Sequence, residues 1–152
     1  MKKIIMLALA CLAASAVSAR AQKAGDTGAG VVLGAPTGVT GKLWLTGTQA
    51  VDAGLGWNSE LTVYGDYLWH AWDVVPQPPE GKMPVYLGLG AQARTFHETE
   101  FAIRTVAGIA YWLPRHPVEI FLELVPVFRL TRHEGVGLEA GLGVRYYFTA
   151  GK

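Results

Sequence analysis

The sequence predicts an all-β fold, an eight-stranded antiparallel up-and-down transmembrane β-barrel whose lumen is filled by side chains. Hydrophobic residues make up 51% of the 152 residues. Yet no segment beyond the N-terminal region approaches the run of about 18 apolar residues expected of a membrane helix. Apolar and polar residues instead alternate in short segments bounded by turn residues. Nineteen glycines, five tryptophans and six tyrosines complete a composition typical of membrane-barrel strands.

The N-terminus has the pattern of a secretory signal peptide. A basic start, "MKK", precedes an apolar run over 4–14, and "ARA" at 19–21 fits a small-x-small cleavage site. We therefore divide the chain into a signal peptide, 1–21, and an outer-membrane β-barrel domain, 22–152.

The mature chain has neither a disulfide nor a basic surface block. Cys11 is the only cysteine and is removed with the signal peptide. Loss of Lys2, Lys3 and Arg20 leaves ten of the 13 basic residues against 12 acidic ones. Since no stretch concentrates the remaining positive charge, we expect no nucleic-acid partner.

Turn chemistry delimits the first four strand segments. Segment 27–35 ends at "APTG", and segment 39–47, "VTGKLWLTG", places two leucines opposite a lysine, a tryptophan and a threonine. Segment 50–57 alternates apolar residues with Asp, Gly and Gly, and "NSE" connects it to segment 61–72. "DVVPQPPEGKMP" follows, and its four prolines and one glycine make it the longest irregular stretch.

The last four segments continue the same alternation. Segment 85–96 is followed by "HETE", and segment 101–113 by "PRHP". Pro126 interrupts segment 118–130 and indicates a bulge or a missing ladder hydrogen bond. "TRHEG" leads into segment 135–148, whose polar side is mostly glycine with one acid and one base. Closing this meander removes the strand edges that bilayer hydrocarbon cannot satisfy.

The charges of the strands all lie on one phase of the alternation. A lipid-facing Arg or Lys near mid-bilayer would cost roughly 2–4 kcal/mol, so the apolar phase is expected to face lipid and the charged phase the lumen. The predicted lumen network consists of Lys42, Asp52, Asp66, His70, Arg94, Arg104, Glu119, Glu123, Arg129, Glu139 and Arg145.

The lumen of an eight-stranded barrel is narrow enough to be filled by side chains. Inward glycines are expected to make room for long Arg, Glu and Trp side chains, namely Gly88, Gly90, Gly137, Gly141 and Gly143. We therefore predict a plugged barrel without a large open pore. The paired charges are expected to hold the lumen together, and a proton or ion path, suggested by His70 beside Asp66, is the functional alternative.

Aromatic residues end the last segment. Tyr146 and Phe148 share its outward phase, as an aromatic girdle at a membrane boundary requires. Outward aromatics near a C-terminus also resemble the signal by which bacterial outer-membrane proteins are handed to their assembly machinery. Gly151 and Lys152 lie beyond the usual final aromatic position.

Five stretches carry a resemblance to a known family: "GAPTGVTGKLWLTGTQAVDAGLGW", "YGDYLWHAWDV", "PVYLGLGAQAR", "EIFLELVPVFRLT" and "LEAGLGVRYYF". From about residue 30 to 148 the chain resembles small bacterial outer-membrane β-barrels of the DUF3996 type, similar to the OmpX and OmpA transmembrane domains. The resemblance implies the fold and an outer-membrane location, with membrane lipid and the barrel assembly machinery as partners. It implies no enzymatic activity and no cofactor, and we expect a monomer.

The resemblance also bears on orientation. With both termini periplasmic, as in related barrels, "APTG", "NSE", "HETE" and "TRHEG" form short outer loops, which leaves little surface for a binding role. The long proline-rich connection is then periplasmic. Because outer loops are usually the longer ones, the inverted orientation stays open.

Two other classes of function remain open from the sequence. A lipid-modifying enzyme would need a nucleophile, a histidine and a carboxylate within hydrogen-bond reach. The candidates are Ser59 beside Glu60 in one predicted turn, with His97 and His133 in other turns on the same rim. A soluble periplasmic barrel that binds an apolar ligand would reverse the two faces and place the leucines and valines inside. No metal-ligand spacing or phosphate-binding motif is present in the sequence.

Overall fold

The computed structural model describes residues 23–95, 97–131 and 135–148, and within them the eight expected strands form. They are β1 (Thr27–Gly34), β2 (Thr37–Trp44), β3 (Gln49–Trp57), β4 (Leu61–Ala71), β5 (Val85–Thr95), β6 (Thr99–Trp112), β7 (Val118–Arg129) and β8 (Gly135–Phe148). Each strand pairs antiparallel with its neighbour in sequence, and β1 pairs with β8 to close the sheet. The predicted all-β, eight-stranded, up-and-down barrel is confirmed. The predicted signal peptide, 1–21, lies outside the described residues.

The strand limits differ from the predicted segments by at most three residues. The largest difference is at the end of β2, where Thr46 and Gly47 belong to the turn. The amides of Leu45 and Thr46 donate to the carbonyl oxygen of Gln49, and the Gln49 amide donates to Thr46 Oγ1. Leu45 still continues the apolar alternation, so the sequence pattern does not show where the ladder ends.

Pro126 leaves a gap in the β6–β7 ladder but no bulge. The ladder pairs Arg104 with Val127 and then Ala107 with Leu124, so two residues lie between the two pairs on each strand and the register is unchanged. The pairs between them are absent because proline has no amide hydrogen to donate. The Thr105 hydroxyl donates to the Pro126 carbonyl oxygen across the gap at 3.3 Å.

The strands are staggered around the barrel. One row of register partners starts at Gly135 on β8 and passes in turn through β7, β6, β5, β4, β3, β2 and β1. It returns to β8 at Arg145, ten residues further along the strand. The row is Gly135, Arg129, Ala102, Gln92, Tyr64, Gly54, Thr40, Gly30 and Arg145. This stagger tilts the strands and decides which inward side chains meet across the lumen.

The two ends of the barrel differ in their connections. The terminal rim is the end at which β1 begins and β8 ends, and it carries the connections 45–48, 72–84 and 113–117. The loop rim carries the short connections 35–36, 58–60, 96–98 and 130–134. Within the described ranges no helix is long and apolar enough to cross a membrane.

The two phases of β8 face in the directions that the sequence predicts. Leu138 and Leu142 are 70% and 52% exposed on the outside of the barrel, whereas Glu139 and Arg145 are only 7% and 1% exposed inside it. The other strands show the same division, and large apolar residues cover the outer wall. The outer wall is therefore apolar, and the charged side chains of β8 point into the lumen.

Candidate functional site: the filled lumen

Arg145 is the centre of one ionic cluster in the lumen. Its Nη1 lies 3.0 Å from Glu119 Oε1 and its Nη2 3.0 Å from Asp52 Oδ2. Nε and Nη2 also donate to the Thr40 hydroxyl, at 3.3 and 3.0 Å. The guanidinium carbon lies 3.9 Å from the centroid of the Phe121 ring. Every nitrogen of this buried guanidinium therefore has a partner, as a buried charge requires.

Lys42 belongs to the same cluster. Its Nζ donates to His70 Nε2 at 2.9 Å and lies 3.5 Å from Glu119 Oε1. An ammonium group can only donate, so His70 Nε2 must accept, and the ring proton then lies on Nδ1, 3.3 Å from the Thr48 carbonyl oxygen. The Tyr147 hydroxyl donates to Glu119 Oε2 at 2.6 Å. We call these residues the Arg145 cluster: Thr40, Lys42, Asp52, His70, Glu119, Arg145 and Tyr147.

A second group, the Arg104 cluster, occupies another part of the lumen and consists of Asp66, Gln92, Arg94, Arg104 and Glu139. Arg104 Nε lies 2.8 Å from Asp66 Oδ1, and Nη1 donates to Gln92 Oε1 at 3.0 Å. Gln92 Nε2 donates to Glu139 Oε1 at 3.3 Å, and Arg94 forms an ion pair with the same carboxylate. Gln92 thus joins two ion pairs.

One acid of the Arg145 cluster lies directly opposite one acid of the Arg104 cluster. Asp52 on β3 and Asp66 on β4 are register partners. Two like charges directly opposite each other repel and destabilise a strand pair. Each carboxylate has its own guanidinium, Arg145 for Asp52 and Arg104 for Asp66. The two arginines therefore compensate a repulsion that the strand register imposes.

Among the described residues, the remaining two of the predicted network form no ion pair with either cluster. Glu123 accepts a hydrogen bond from the Tyr86 hydroxyl at 2.7 Å. Arg129 is partly exposed and lies 3.7 Å from Glu100, a carboxylate outside the predicted set. His70 and Asp66, whose proximity suggested a proton path, belong to different clusters and contact different partners.

Aromatic rings fill the lumen at the terminal rim. Trp44, Trp112 and Tyr147 are almost fully buried, and Trp72 packs against them. Ring centroids are 6.3 Å apart for Trp44 and Trp112 and 4.5 Å for Trp112 and Tyr147. Sequence reasoning assigned no function to this aromatic plug. The sequence pattern does indicate the plug, because Trp44, Trp72 and Trp112 each lie on the inward phase near the terminal-rim end of a predicted strand segment.

One side of the lumen is apolar, which the prediction of a charge-filled interior did not include. Leu68 and Phe121 pack there with smaller residues of β6 and β7, namely Ala102, Val106, Ala110, Val125 and Val127. These apolar residues on the inward phase are therefore packing residues. The lumen is filled partly by ion pairs and partly by an ordinary apolar core.

The expectation that the inward glycines make room for Arg, Glu and Trp side chains was wrong for four of the five glycines it named, because an added Cβ would meet Leu68 at Gly88, Asp66 at Gly90, Val32 at Gly141 and the Phe121 ring at Gly143. Several inward glycines accommodate aromatic rings instead. A Cβ added at Gly28, Gly54, Gly108 or Gly143 would overlap a ring on the neighbouring strand. The rings are those of their register partners, Tyr147, Tyr64, Tyr86 and Phe121 respectively. Gly137, beside Arg129, is an exception that fits the expectation.

Exposed and half-buried aromatics lie near both ends of the outer wall. At the terminal rim, Tyr146 and Phe148 lie edge to face at 5.1 Å, and Tyr67 and Trp69 are 4.7 Å apart. At the loop rim, Trp57, Phe101 and Phe128 are exposed among the described residues. Gly151 and Lys152 lie outside the described residues. Two such belts are the arrangement expected where a barrel meets two membrane–water interfaces.

The structure also shows where the residues proposed for the enzyme and for the soluble ligand-binding barrel lie. Ser59 lies in the β3–β4 connection and His97 in the β5–β6 connection, two strands apart on the loop rim, while His133 is outside the described residues. The soluble ligand-binding barrel required the leucines and valines of the strands to point inward. The exposure of Leu138 and Leu142 contradicts that orientation.

Comparisons with known proteins agree with the fold. The structure is similar to the crystal structure of the N-terminal β-barrel domain of Pseudomonas aeruginosa OprF, with a TM-score of 0.51 and 18% sequence identity. The match covers 81% of this chain and 96% of that domain. No protein-family model matches the chain, and no curated protein matches it. The comparisons therefore support the barrel fold, and the DUF3996-type resemblance stays a prediction.

Proposed function

We propose that this chain is a non-enzymatic, integral β-barrel protein of the bacterial outer membrane, with a structural or surface-interaction role and no large open pore. The observation that carries the proposal is the division of the wall, with apolar side chains outside and paired charges inside. In water such a wall would leave a large continuous apolar surface exposed, whereas in hydrocarbon the same surface is matched to its surroundings.

The lumen supports a structural role for its charges. The Arg145 cluster and the Arg104 cluster connect strands across the barrel interior, and the aromatic plug fills the terminal rim. Breaking one buried ion pair is costly because it leaves its partner unpaired, so these clusters also specify how the strands close. Membrane lipid is the proposed permanent partner, the assembly machinery a transient one, and the proposed state is a monomer.

Conductance tests the absence of a pore. We expect the chain, purified in detergent, to show the heat-modifiable gel migration of a closed barrel and to give no large steady conductance in planar bilayers. The physical reason is that rings and ion pairs occupy the lumen. The control is the fraction of heat-modifiable protein recovered in the bilayer-forming vesicles, which shows insertion. A large, steady conductance from inserted protein would contradict the proposal.

A further inference from the structure

A groove of about 500 Å³ crosses the outer wall near the terminal rim, within the size range of small-molecule sites. Its floor is formed by β4, β5 and β6, where Trp69, Leu87 and Ala107 are register partners in one row and Ala71 and Val85 in the next. The small side chains of the two alanines produce the depression. No charged side chain lines it.

Two side chains form the walls of the groove. Trp69 stands on one side, and its ring is held 4.7 Å from the ring of Tyr67. Val74, in the connection between β4 and β5, also lines the groove and is 66% exposed. An exposed valine at the edge of an apolar depression indicates a surface that another apolar group covers.

The connection that carries Val74 is held in place by its own hydrogen bonds before anything binds. The side-chain nitrogen of Gln77, Nε2, donates to the backbone carbonyl oxygens of Val75 and Met83, at 3.1 and 3.0 Å. The Met83 amide donates to Gln77 Oε1 at 2.9 Å. One side chain therefore ties the two ends of the proline-rich connection together. A pre-formed wall reduces the ordering cost of binding.

From this geometry we propose that the groove binds one acyl chain of a membrane lipid from the leaflet at the terminal rim. The inference rests on the proposed function, because the groove is continuous with the wall assigned to hydrocarbon. Its depth also fits a lipid chain, since it lies beside the aromatic belt of Tyr67 and Trp69, where an acyl chain begins below its headgroup. The lining offers dispersion contacts and almost no polar surface, as a hydrocarbon chain requires.

Photo-crosslinking tests this site. The probe is a phosphatidylethanolamine with a diazirine near the carbonyl end of one chain, in vesicles into which the chain has been folded. Cross-linked positions are mapped by mass spectrometry. We expect labelling per outward side chain to be roughly fivefold higher in the groove than on the β8 wall, because a chain bound in the groove keeps its diazirine beside the lining side chains.

Three variants make the outcome specific. Ala71→Leu with Ala107→Leu fills the floor and should abolish the enrichment, while Ala140→Leu, an outward alanine on β8, should leave it unchanged. Gln77→Ala removes the hydrogen bonds that hold the connection carrying Val74 and leaves the strands of the barrel unchanged. It should lower the enrichment about twofold or more.

The outcomes separate the two proposals. Equal labelling of the groove and the β8 wall, or enrichment that survives both the filling variant and Gln77→Ala, would overturn the lipid site and leave the membrane barrel standing. An absence of labelling at every outward position would instead overturn the proposed function.

Discussion

Replacement of Arg145 by methionine is expected to destabilise the barrel by about 3–5 kcal/mol, the cost typical of removing one partner from a buried ion pair. Methionine retains much of the side-chain volume over Phe121 but leaves Asp52 without a cation and Glu119 with a weaker set of partners. The free energy of unfolding, measured by urea titration in detergent micelles and followed by heat-modifiable migration, checks this prediction.

Arg129→Met is the matched control for this measurement. Arg129 is also an inward arginine, but it is 36% exposed at the loop rim and 3.7 Å from its carboxylate partner. Solvent screening limits such a pair, so we expect a loss below about 1 kcal/mol. Asp52→Asn added to Arg145→Met should recover part of the stability, because it removes the charge that opposes Asp66. Equal effects of Arg145→Met and Arg129→Met would show that the buried cluster does not stabilise the fold.

Gly108→Ala is the second substitution with a large expected effect. Its Cβ would overlap the Tyr86 ring. That ring cannot move aside easily, since its hydroxyl donates to Glu123 at 2.7 Å and the Lys42 ammonium lies 5.0 Å from its centroid. Overpacking of this kind costs roughly 1–3 kcal/mol. The same urea titration provides the measurement.

Outward glycines provide the control for the glycine substitution. A Cβ at Gly65 would meet only the Asp52 carbonyl oxygen, at 3.6 Å, which is ordinary van der Waals contact. Gly65→Ala should therefore be neutral or slightly stabilising. In a double-mutant cycle, Tyr86→Leu should relieve part of the cost of Gly108→Ala. Additive effects of the two substitutions would contradict the ring-over-glycine account.

The fold could be predicted closely because its signal is local. A period of two, with charges confined to one phase, identifies eight strands and the face that each turns inward. Leu138 and Glu139 illustrate this, since adjacent residues of a strand must point to opposite sides. Turn limits are less certain, as Leu45 shows, because apolar alternation can continue past the last ladder pair.

The pairing of charges could not be predicted, because it depends on how the strands are staggered around the barrel. Lys42 and Asp52 are register partners, yet Asp52 binds Arg145 and Lys42 donates to His70. The offset of ten residues on closure brings Arg145 near β3, and no local pattern contains that offset. Gln92 was omitted from the predicted network because only charged residues and His70 were considered.

Inward tryptophans were expected, but their packing into an aromatic plug and the glycine–ring pairs were not predicted, for a related reason. Aromatic residues on the inward phase are apolar, so composition alone does not separate them from lipid-facing aromatics. Their positions do separate them, since Trp44 and Trp112 share a phase with Lys42 and Arg104. Strand phase therefore identifies lumen residues more reliably than polarity does.

Spin-label accessibility along β8 tests the central claim most directly, namely that the apolar phase faces hydrocarbon. Single cysteines at 136, 138, 140, 142 and 144, in a chain without Cys11, carry nitroxides in lipid vesicles, with Glu60→Cys in an exposed turn as the aqueous control. The account predicts that oxygen, which concentrates in hydrocarbon, relaxes the five β8 labels more strongly than a water-soluble nickel complex does. Higher accessibility of these labels to the nickel complex, matching the control at residue 60, would contradict it.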